Sequence, residues 1–277
     1  MKQALRIASL HIYPIKSCAG ISLQAMELDA GGPIYDREWM LVHKEGERWF
    51  YTSQREVPKL ALFQPTIENG NLVARAPAMP DLVLPVAETP AEKLDVVIWK
   101  AEVTGSVYPL EVNAWFSRFL EMDVKLVRMP EQRRAVDPQF ANPPATTTFT
   151  DGFPALLTTQ ASLDDLNFKL ADNGTDPMEM RRFRPNIVVD GNAAWDEDHW
   201  KQIRANGIAF DVVKPCGRCV MTTVEPSLGK IVDPHEPLAT LNKYRRNEAG
   251  KVIFGQNLIH RGVGCIHVGD SVTIVTH

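Results

Sequence analysis

The sequence predicts a mostly β protein of the α+β class, barrel-like, with only a few helices. Three observations carry that expectation. Through the first hundred residues, short β-branched and aromatic runs alternate with turn residues. Two Asn-Gly pairs, at 69–70 and 206–207, each stand between β-like runs, and this dipeptide marks hairpins because both residues adopt positive φ readily. Helical spacing of apolar residues is confined to three short segments of a 277-residue chain.

Taken in order, Ala4–Ile15 opens the chain as a strand-like run interrupted by Pro14, which cannot donate to a ladder, and Ile21–Leu28 follows. Glu38–His43 and Arg48–Thr52 flank Lys44-Glu45-Gly46-Glu47 as a hairpin, and Leu60–Ile67 and Leu72–Arg75 flank Asn69-Gly70 as another. Leu82–Val86, Leu94–Trp99 and Glu102–Tyr108 continue the pattern. The first helical period is Val112–Met122, which sets Trp115, Phe116, Phe119 and Leu120 on one face. That helix and the strand-like Val124–Val127 are expected to join two halves, residues 1–120 and 121–277.

Four prolines between Pro130 and Pro144 predict a loop. A helix should begin at Ser162 as N-cap, turn Leu163, Leu166 and Leu170 inward, and stop at Asn173-Gly174. Ile187–Val189 reads as a buried strand, and Gln202–Arg204 with Ile208–Val213 as a hairpin around Asn206-Gly207. Leu238–Arg246 is a short helix. Cys265–Val275 is expected to close the chain as a paired strand turning at Gly269-Asp270.

Composition narrows the function. With 44% hydrophobic and 23% charged residues the chain is an ordinary globular one. A formal net charge of −4 leaves no basic footprint for nucleic acid. No apolar run approaches the ~20 residues that span a bilayer, so no membrane association is expected. The N-terminus, Met1-Lys2-Gln3-Ala4-Leu5-Arg6-Ile7, interrupts its short apolar stretch with a charge and is unlike a secretory leader. Four cysteines are too few for a disulfide framework, so reduced thiols in the cytoplasm are the expectation.

The chemistry concentrates in Lys214-Pro215-Cys216-Gly217-Arg218-Cys219-Val220-Met221-Thr222-Thr223-Val224. Two thiols stand two residues apart with an arginine against the second. A thiolate is a soft ligand, and a neighbouring cation favours its formation. Elsewhere Ile15-Lys16-Ser17-Cys18 offers a cation and a hydroxyl after the first strand, and Asp36-Arg37 precedes Trp39. Arg181-Arg182-Phe183-Arg184-Pro185-Asn186 packs three guanidiniums against a buried strand. Thr150-Asp151-Gly152 and Gly255-Gln256-Asn257 flank other apolar runs. Arginine forks and backbone amides recognise phosphate and other delocalised anions. Glu179 and Asp151 are the carboxylates that would instead neutralise the arginines internally.

Two other readings of the thiols compete. A zinc site would need Cys265 with His267 or His260 as further ligands, and that second pair lacks the usual spacing. A thioredoxin-type pair would open a helix in a βαβ unit, whereas here a hairpin strand leads in and Val220–Val224 reads as extended. Cys18 and Cys265 read as small buried apolar residues.

These segments together resemble the MOSC-domain proteins preceded by a MOSC N-terminal β-barrel domain, the layout of the mitochondrial amidoxime-reducing component and of bacterial YcbX-like proteins. The resemblance spans nearly the whole chain. It rests on Ile12-Tyr13-Pro14-Ile15-Lys16-Ser17-Cys18, Asp36-Arg37-Glu38-Trp39-Met40, Phe183-Arg184-Pro185-Asn186-Ile187-Val188, Glu197-Asp198 before Trp200, Pro215-Cys216-Gly217-Arg218-Cys219 with Thr222-Thr223-Val224, Phe254-Gly255-Gln256-Asn257 and Val268-Gly269-Asp270.

The resemblance implies an N-terminal β-barrel domain over 1–120 and a MOSC domain over 121–277. It implies a molybdenum cofactor, a metal held by the dithiolene of a phosphorylated pterin, with Cys219 as the protein ligand and catalytic sulfur and Cys216 beside the site. Lys16, Ser17, Arg37, Thr150, Asp151, Gly152, Arg184, Asn186, Gly217, Arg218 and Asn257 match positions that surround the pterin and its phosphate. The implied activity is reduction of small N-hydroxylated compounds by oxygen-atom transfer. With His277 soon after the closing strand, neither an iron–sulfur domain nor a membrane anchor is expected, so a separate electron donor (a ferredoxin, a flavin reductase or a haem carrier) is implied. The alternative is a cofactor carrier or sulfur-handling protein without turnover of its own.

Overall fold

Strand pairing in the computed structural model, which describes residues 4–276, organises the chain into a closed barrel and a large open sheet. Met1, Lys2, Gln3 and His277, used in the sequence reading of the termini, lie outside the described residues. The barrel consists of Trp39–Glu45, Arg48–Tyr51, Lys93–Ile98, Ala101–Val107 and Lys125–Arg128. Its pairings are antiparallel except the one that closes it, between Arg48–Tyr51 and Lys93–Ile98. Met40 and Val42 enter the barrel core with Val96, Ile98, Val107 and Phe149. Trp39 and Leu41 point the other way, into a second core. Alternate side chains leave a strand on opposite faces, so a strand buried on both reads as an unbroken apolar run.

That second core lies between helix α1, Leu110–Leu120, and a small sheet of Gln64–Glu68, Asn71–Arg75 and Leu82–Pro85. Phe63 sits among Trp115, Phe116 and Phe119, with ring centroids 4.8–5.6 Å away. The Asn69-Gly70 hairpin forms as expected, both residues at positive φ. Its first arm is shorter, because Pro58 starts a 3₁₀ turn over Pro58–Leu62.

The large sheet has eight strands in the order Ile21–Leu23, Arg6–Ile12, Ile187–Asp190, Ala155–Thr159, Ile253–His260, Ile208–Gly217, Gln202–Ala205, Val272–Thr276. Its single parallel pairing, Ala155–Thr159 with Ile187–Asp190, is made by the crossover through helix α2, Gln160–Asp172. The third helix is Leu238–Asn242, shorter than expected. Among the described residues no helix is long and apolar enough to cross a membrane.

Four details depart from the sequence reading, each for a local reason. The strand placed at the joint, now Lys125–Arg128, pairs with Trp39–Glu45 and is a stave of the barrel, while Arg6–Ile12 belongs to the large sheet. The cap of α2 is Thr159, whose hydroxyl accepts the Ser162 N–H at 3.3 Å. Ser162 is not free for that role: its hydroxyl donates at 2.7 Å to Glu197, a fully buried carboxyl whose pKa burial raises. Ile21–Leu28 is split into Ile21–Leu23 and Ala25–Asp29. The closing segment is likewise two strands in different sheets: Gly264–His267 pairs with Ala25–Asp29, and Val272–Thr276 with Gln202–Ala205. The turn between them is tied down by Gly269 N–H to Ile7 O at 2.8 Å and Val268 N–H to Gln24 O at 3.0 Å.

One glycine sets the spacing next to the site. Gly255 has φ +79°, and a Cβ there would lie 2.6 Å from the Leu157 carbonyl oxygen and 2.8 Å from Thr158 Cγ2. The adjacent strand therefore leaves no room for a side chain. Gly255→Ala is expected to cost at least ~2 kcal/mol, through a left-handed backbone and a backbone clash together, read as a lower urea midpoint.

Candidate functional site

The strand Ile208–Gly217 carries the first cysteine of the pair to the edge of a cleft between the large sheet and the barrel. Cys219 follows in extended conformation, φ −138° and ψ 178°, and then the chain turns. Val220–Thr223 forms a 3₁₀ turn, not the extended run expected from its β-branched residues. Thr222 bonds the Cys219 carbonyl through both its N–H (3.1 Å) and its hydroxyl (3.0 Å), and Thr223 Oγ1 donates to Val220 O at 2.7 Å. Hydroxyls that bond back to nearby carbonyls compete with strand formation. On the other side Arg218 N–H bonds Val252 O at 2.7 Å. Cys219 is thus pinned from both flanks, and its sulfur receives the Arg55 Nε–H at 3.1 Å.

The cleft, about 780 Å³, is lined by seven lysine and arginine side chains and by one carboxylate, Asp151. In a chain of net charge −4 this is a concentrated positive field. Internal pairing neutralises only part of it. Arg37 is paired with Asp36 at 2.5 Å and Lys16 with Asp151 at 2.5 Å. Glu179 and Asp151 do not satisfy the arginine run: Glu179 takes Arg181 at 2.5 Å, while Arg182 turns to Glu225 at 2.5 Å. Only Arg184 of the three faces the cleft. Its Nη1 donates to Cys18 O at 2.5 Å, and its Nη2 is buried with no partner, as is Arg218 Nε.

Burial and the adjacent Arg37 guanidinium pull the Arg184 pKa down to about 10. Both arginines lie against the Tyr13 ring, Arg37 at 4.3 Å and Arg184 at 4.2 Å. Burial pushes the Tyr13 phenol up to about 12, so it stands neutral beside them. Ser17, Arg37 and Arg184 also share a left-handed backbone, with φ of 67°, 49° and 55°. Non-glycine residues hold such angles at ~1–3 kcal/mol each, a strain that gathers at binding sites.

At the barrel end, Asp151 Oδ1 accepts Lys16 Nζ at 2.5 Å and the Trp99 indole N–H at 3.1 Å. Its place in the cleft tends to raise its pKa, but Lys16, Trp99 and Arg55 prevail and hold the carboxyl well below the usual range. Burial lowers the Lys16 pKa, and Asp151 opposes that shift.

Every site residue expected from the sequence lines this one cleft, and their parts in it differ. Lys16, Arg37, Arg184, Arg218 and Cys219 present side chains with chemistry. Asn186 is 1% exposed and spent internally: its Oδ1 accepts from Leu156 N–H at 3.1 Å and Arg37 Nη1 at 3.2 Å, and its Nδ2 donates to His11 O at 3.1 Å. It orients Arg37. Thr150 exchanges a 2.7 Å bond with Thr147, and Asn257 Nδ2 donates to Lys214 O at 3.1 Å. Ser17 is buried, Gly152 gives open wall with nothing within 4 Å of a Cβ placed there, and at Gly217 such a Cβ would lie 3.5 Å from Lys251 Cδ. Cys216 accepts Arg218 Nη1 at 3.0 Å.

Cys18 is fully buried, and burial raises its thiol to about 12. Cys265 is only partly buried, with its sulfur 3.7 Å from His267 Nε2. Among the described residues no group of three or more His, Cys, Asp or Glu is arranged to hold a metal ion, which leaves the zinc reading without ligands. Sequence reasoning missed Arg55 and Trp99. The available signal for the first was the polar run Thr52-Ser53-Gln54-Arg55 directly after an aromatic strand, three of whose members are buried.

This is a two-part β protein whose cleft offers a thiol and unpaired guanidiniums together, and both parts match known families. Residues 4–123 match the MOSC N-terminal beta barrel domain and residues 144–273 the MOSC domain. Mitochondrial amidoxime reducing component 2 of Bos taurus is 32% identical over 289 residues, covering 98% of this chain and 84% of that protein. Mitochondrial amidoxime-reducing component 1 of Mus musculus is 33% identical over 293 residues, covering 99% and 84%. The molybdenum cofactor sulfurase of Oryza sativa subsp. japonica is 34% identical over 269 residues, covering 91% of this chain and 32% of that protein. The chain belongs to the family of MOSC-domain proteins that carry a MOSC N-terminal β-barrel domain.

Proposed function

We propose that this protein is a molybdenum-cofactor-dependent oxidoreductase that reduces N-hydroxylated compounds (amidoximes, hydroxylamines, N-hydroxylated bases) to amidines or amines. One observation carries the reading: the Cys219 sulfur shares a cleft with buried guanidinium N–H groups, on Arg184 and Arg218, that have no partner. Unpaired buried donors are costly, and a phosphate or oxo group is the partner they lack. The residues fit the cofactor. Cys219 supplies the soft ligand; Arg184, Arg218, Lys16, Arg37 and the Ser17 hydroxyl would hold the pterin and its phosphate. A cleft of about 780 Å³ lies in the size range of cofactor sites.

When bound, the cofactor supplies the oxygen-atom transfer, whose net reaction takes up two electrons and two protons and releases the hydroxyl oxygen as water. The protein's own groups prepare the site. Thr222, Thr223 and the Arg218 amide fix the backbone around Cys219, and Arg55 fixes the direction of its sulfur. Asn186 and Asp36 lock Arg37, and Asp151 locks Lys16. Geometry set in advance spares the reaction the cost of ordering these groups later. Electrons are proposed to come from a separate protein, a ferredoxin, a flavin reductase or a haem carrier. We place the protein in the cytoplasm, where thiols such as its four free cysteines stay reduced.

The relatives support this reading, since the two components named above bear amidoxime reduction in their names. The rice relative favours a second one, a carrier or sulfur-handling protein without redox turnover, although this chain spans only 32% of it. Molybdenum analysis of the purified protein, fluorescence of the oxidised pterin and an amidoxime assay with an artificial reductant test both. The oxidoreductase contains near-stoichiometric molybdenum and reduces the amidoxime. A carrier hands its cofactor to an apo-enzyme and leaves the amidoxime intact, an outcome that would replace the first reading with the second.

A further inference from the structure

We infer that Trp99 is a stacking platform for substrate, and that this cleft selects N-hydroxylated compounds bearing a flat conjugated ring. The inference rests on the oxidoreductase reading and narrows its substrate class. Trp99 stands at the tip of the hairpin between Lys93–Ile98 and Ala101–Val107, on the barrel side of the cleft. It is 48% exposed in a cleft that seven lysine and arginine side chains also line.

The indole is also immobilised. Its N–H donates to Asp151 at 3.1 Å, the Arg55 guanidinium packs on its ring at 4.4 Å, and Tyr51 meets it at 5.5 Å with a 51° tilt. Its backbone is left-handed, φ +57°, an angle bulky residues seldom adopt. A rigid aromatic surface binds flat rings at little entropic cost. Position supplies the rest. The same Arg55 that packs on Trp99 donates to Cys219 Sγ at 3.1 Å, so a single guanidinium separates platform from sulfur. A ring stacked on Trp99 directs a substituent toward Cys219. The phosphate-seeking donors of Arg184 and Arg218 carry no carboxylate, whereas the indole is tied to one.

Selectivity is the test. In metal-loaded full-length protein, Trp99→Ala is expected to lower the ratio of kcat/KM for benzamidoxime to that for acetamidoxime by about tenfold. Trp99→Phe, which keeps a ring, restores most of the ratio. A ratio in Trp99→Ala that stays within about twofold of wild type, including equal losses for both substrates, overturns the inference. A binding measurement stands apart from turnover. The Trp99 indole N–H resonance, assigned by its loss in Trp99→Phe, should move further with benzamidoxime than with acetamidoxime; equal or absent movement also overturns it. Loaded wild type that reduces neither compound sinks the oxidoreductase reading, and the resonance still decides whether flat rings stack on Trp99.

Discussion

Cys219→Ser abolishes turnover, and Cys216→Ala leaves a working enzyme: this is the expected result with the largest effect. The two thiols stand two residues apart, yet they face different partners. Cys219 Sγ receives Arg55 across the cleft, whereas Cys216 Sγ receives Arg218, two residues along its own chain. Serine at 219 replaces a soft sulfur with a hard oxygen that molybdenum in a sulfur-rich set binds poorly. The fold should barely register the change, because the turn is held by Thr222, Thr223 and the Arg218 amide, not by the sulfur. Cys216→Ala removes one N–H···S contact from Arg218, whose Nη2 still donates to Phe183 O at 2.8 Å. Steady-state reduction of an amidoxime, with X-ray absorption counting the sulfurs on molybdenum, checks both variants. Full activity in Cys219→Ala with a normal molybdenum spectrum ends the ligand assignment.

The second large effect concerns Arg184. Arg184→Ala should lower cofactor retention by about ten- to a hundredfold, the range for one or two charge-assisted hydrogen bonds. The size of its effect on stability should differ between the empty and the loaded protein. Burial and Arg37 depress its pKa to about 10 in the fold, below the ordinary value of an arginine. At neutral pH its charge therefore costs the empty fold stability, a cost that fades only as pH rises through about 10. An anion against the unpaired Nη2 relieves that cost at any pH. Loss of the guanidinium is thus expected to change the melting temperature of empty protein little and to lower that of loaded protein. Molybdenum content after extended dialysis, with melting curves of both forms, measures the difference. Unchanged occupancy would remove Arg184 from the anchoring role.

The legibility of this chain from its sequence followed the range of each signal. Hairpins at Asn69-Gly70 and Asn206-Gly207 were readable because a two-residue turn is local, and both form. The residues of the cleft were readable as a set because several chemically loaded segments shared the order of one family, and they line one cavity. What failed was either competition within a turn or pairing at a distance. Thr222 and Thr223 looked like strand residues until their hydroxyls bonded back to the chain. Gly269-Asp270 was readable as the turn of one paired strand, and long-range bonds to Ile7 and Gln24 send its two sides into different sheets. Arg55 and Trp99 come from barrel turns, more than a hundred residues from the cysteines, and nothing in their immediate neighbours announces the sulfur.

The strand Arg6–Ile12 is translated before every stave of the barrel, yet it lies between Ile21–Leu23 and Ile187–Asp190 in the large sheet. The barrel can close once Lys125–Arg128 has been made, since all five of its staves are then present. The opening strand must meanwhile wait, one edge unpaired, while some 175 further residues are translated (187 − 12). Assembly during synthesis therefore starts with the barrel, and the strand Arg6–Ile12 is among the later parts to be locked in place.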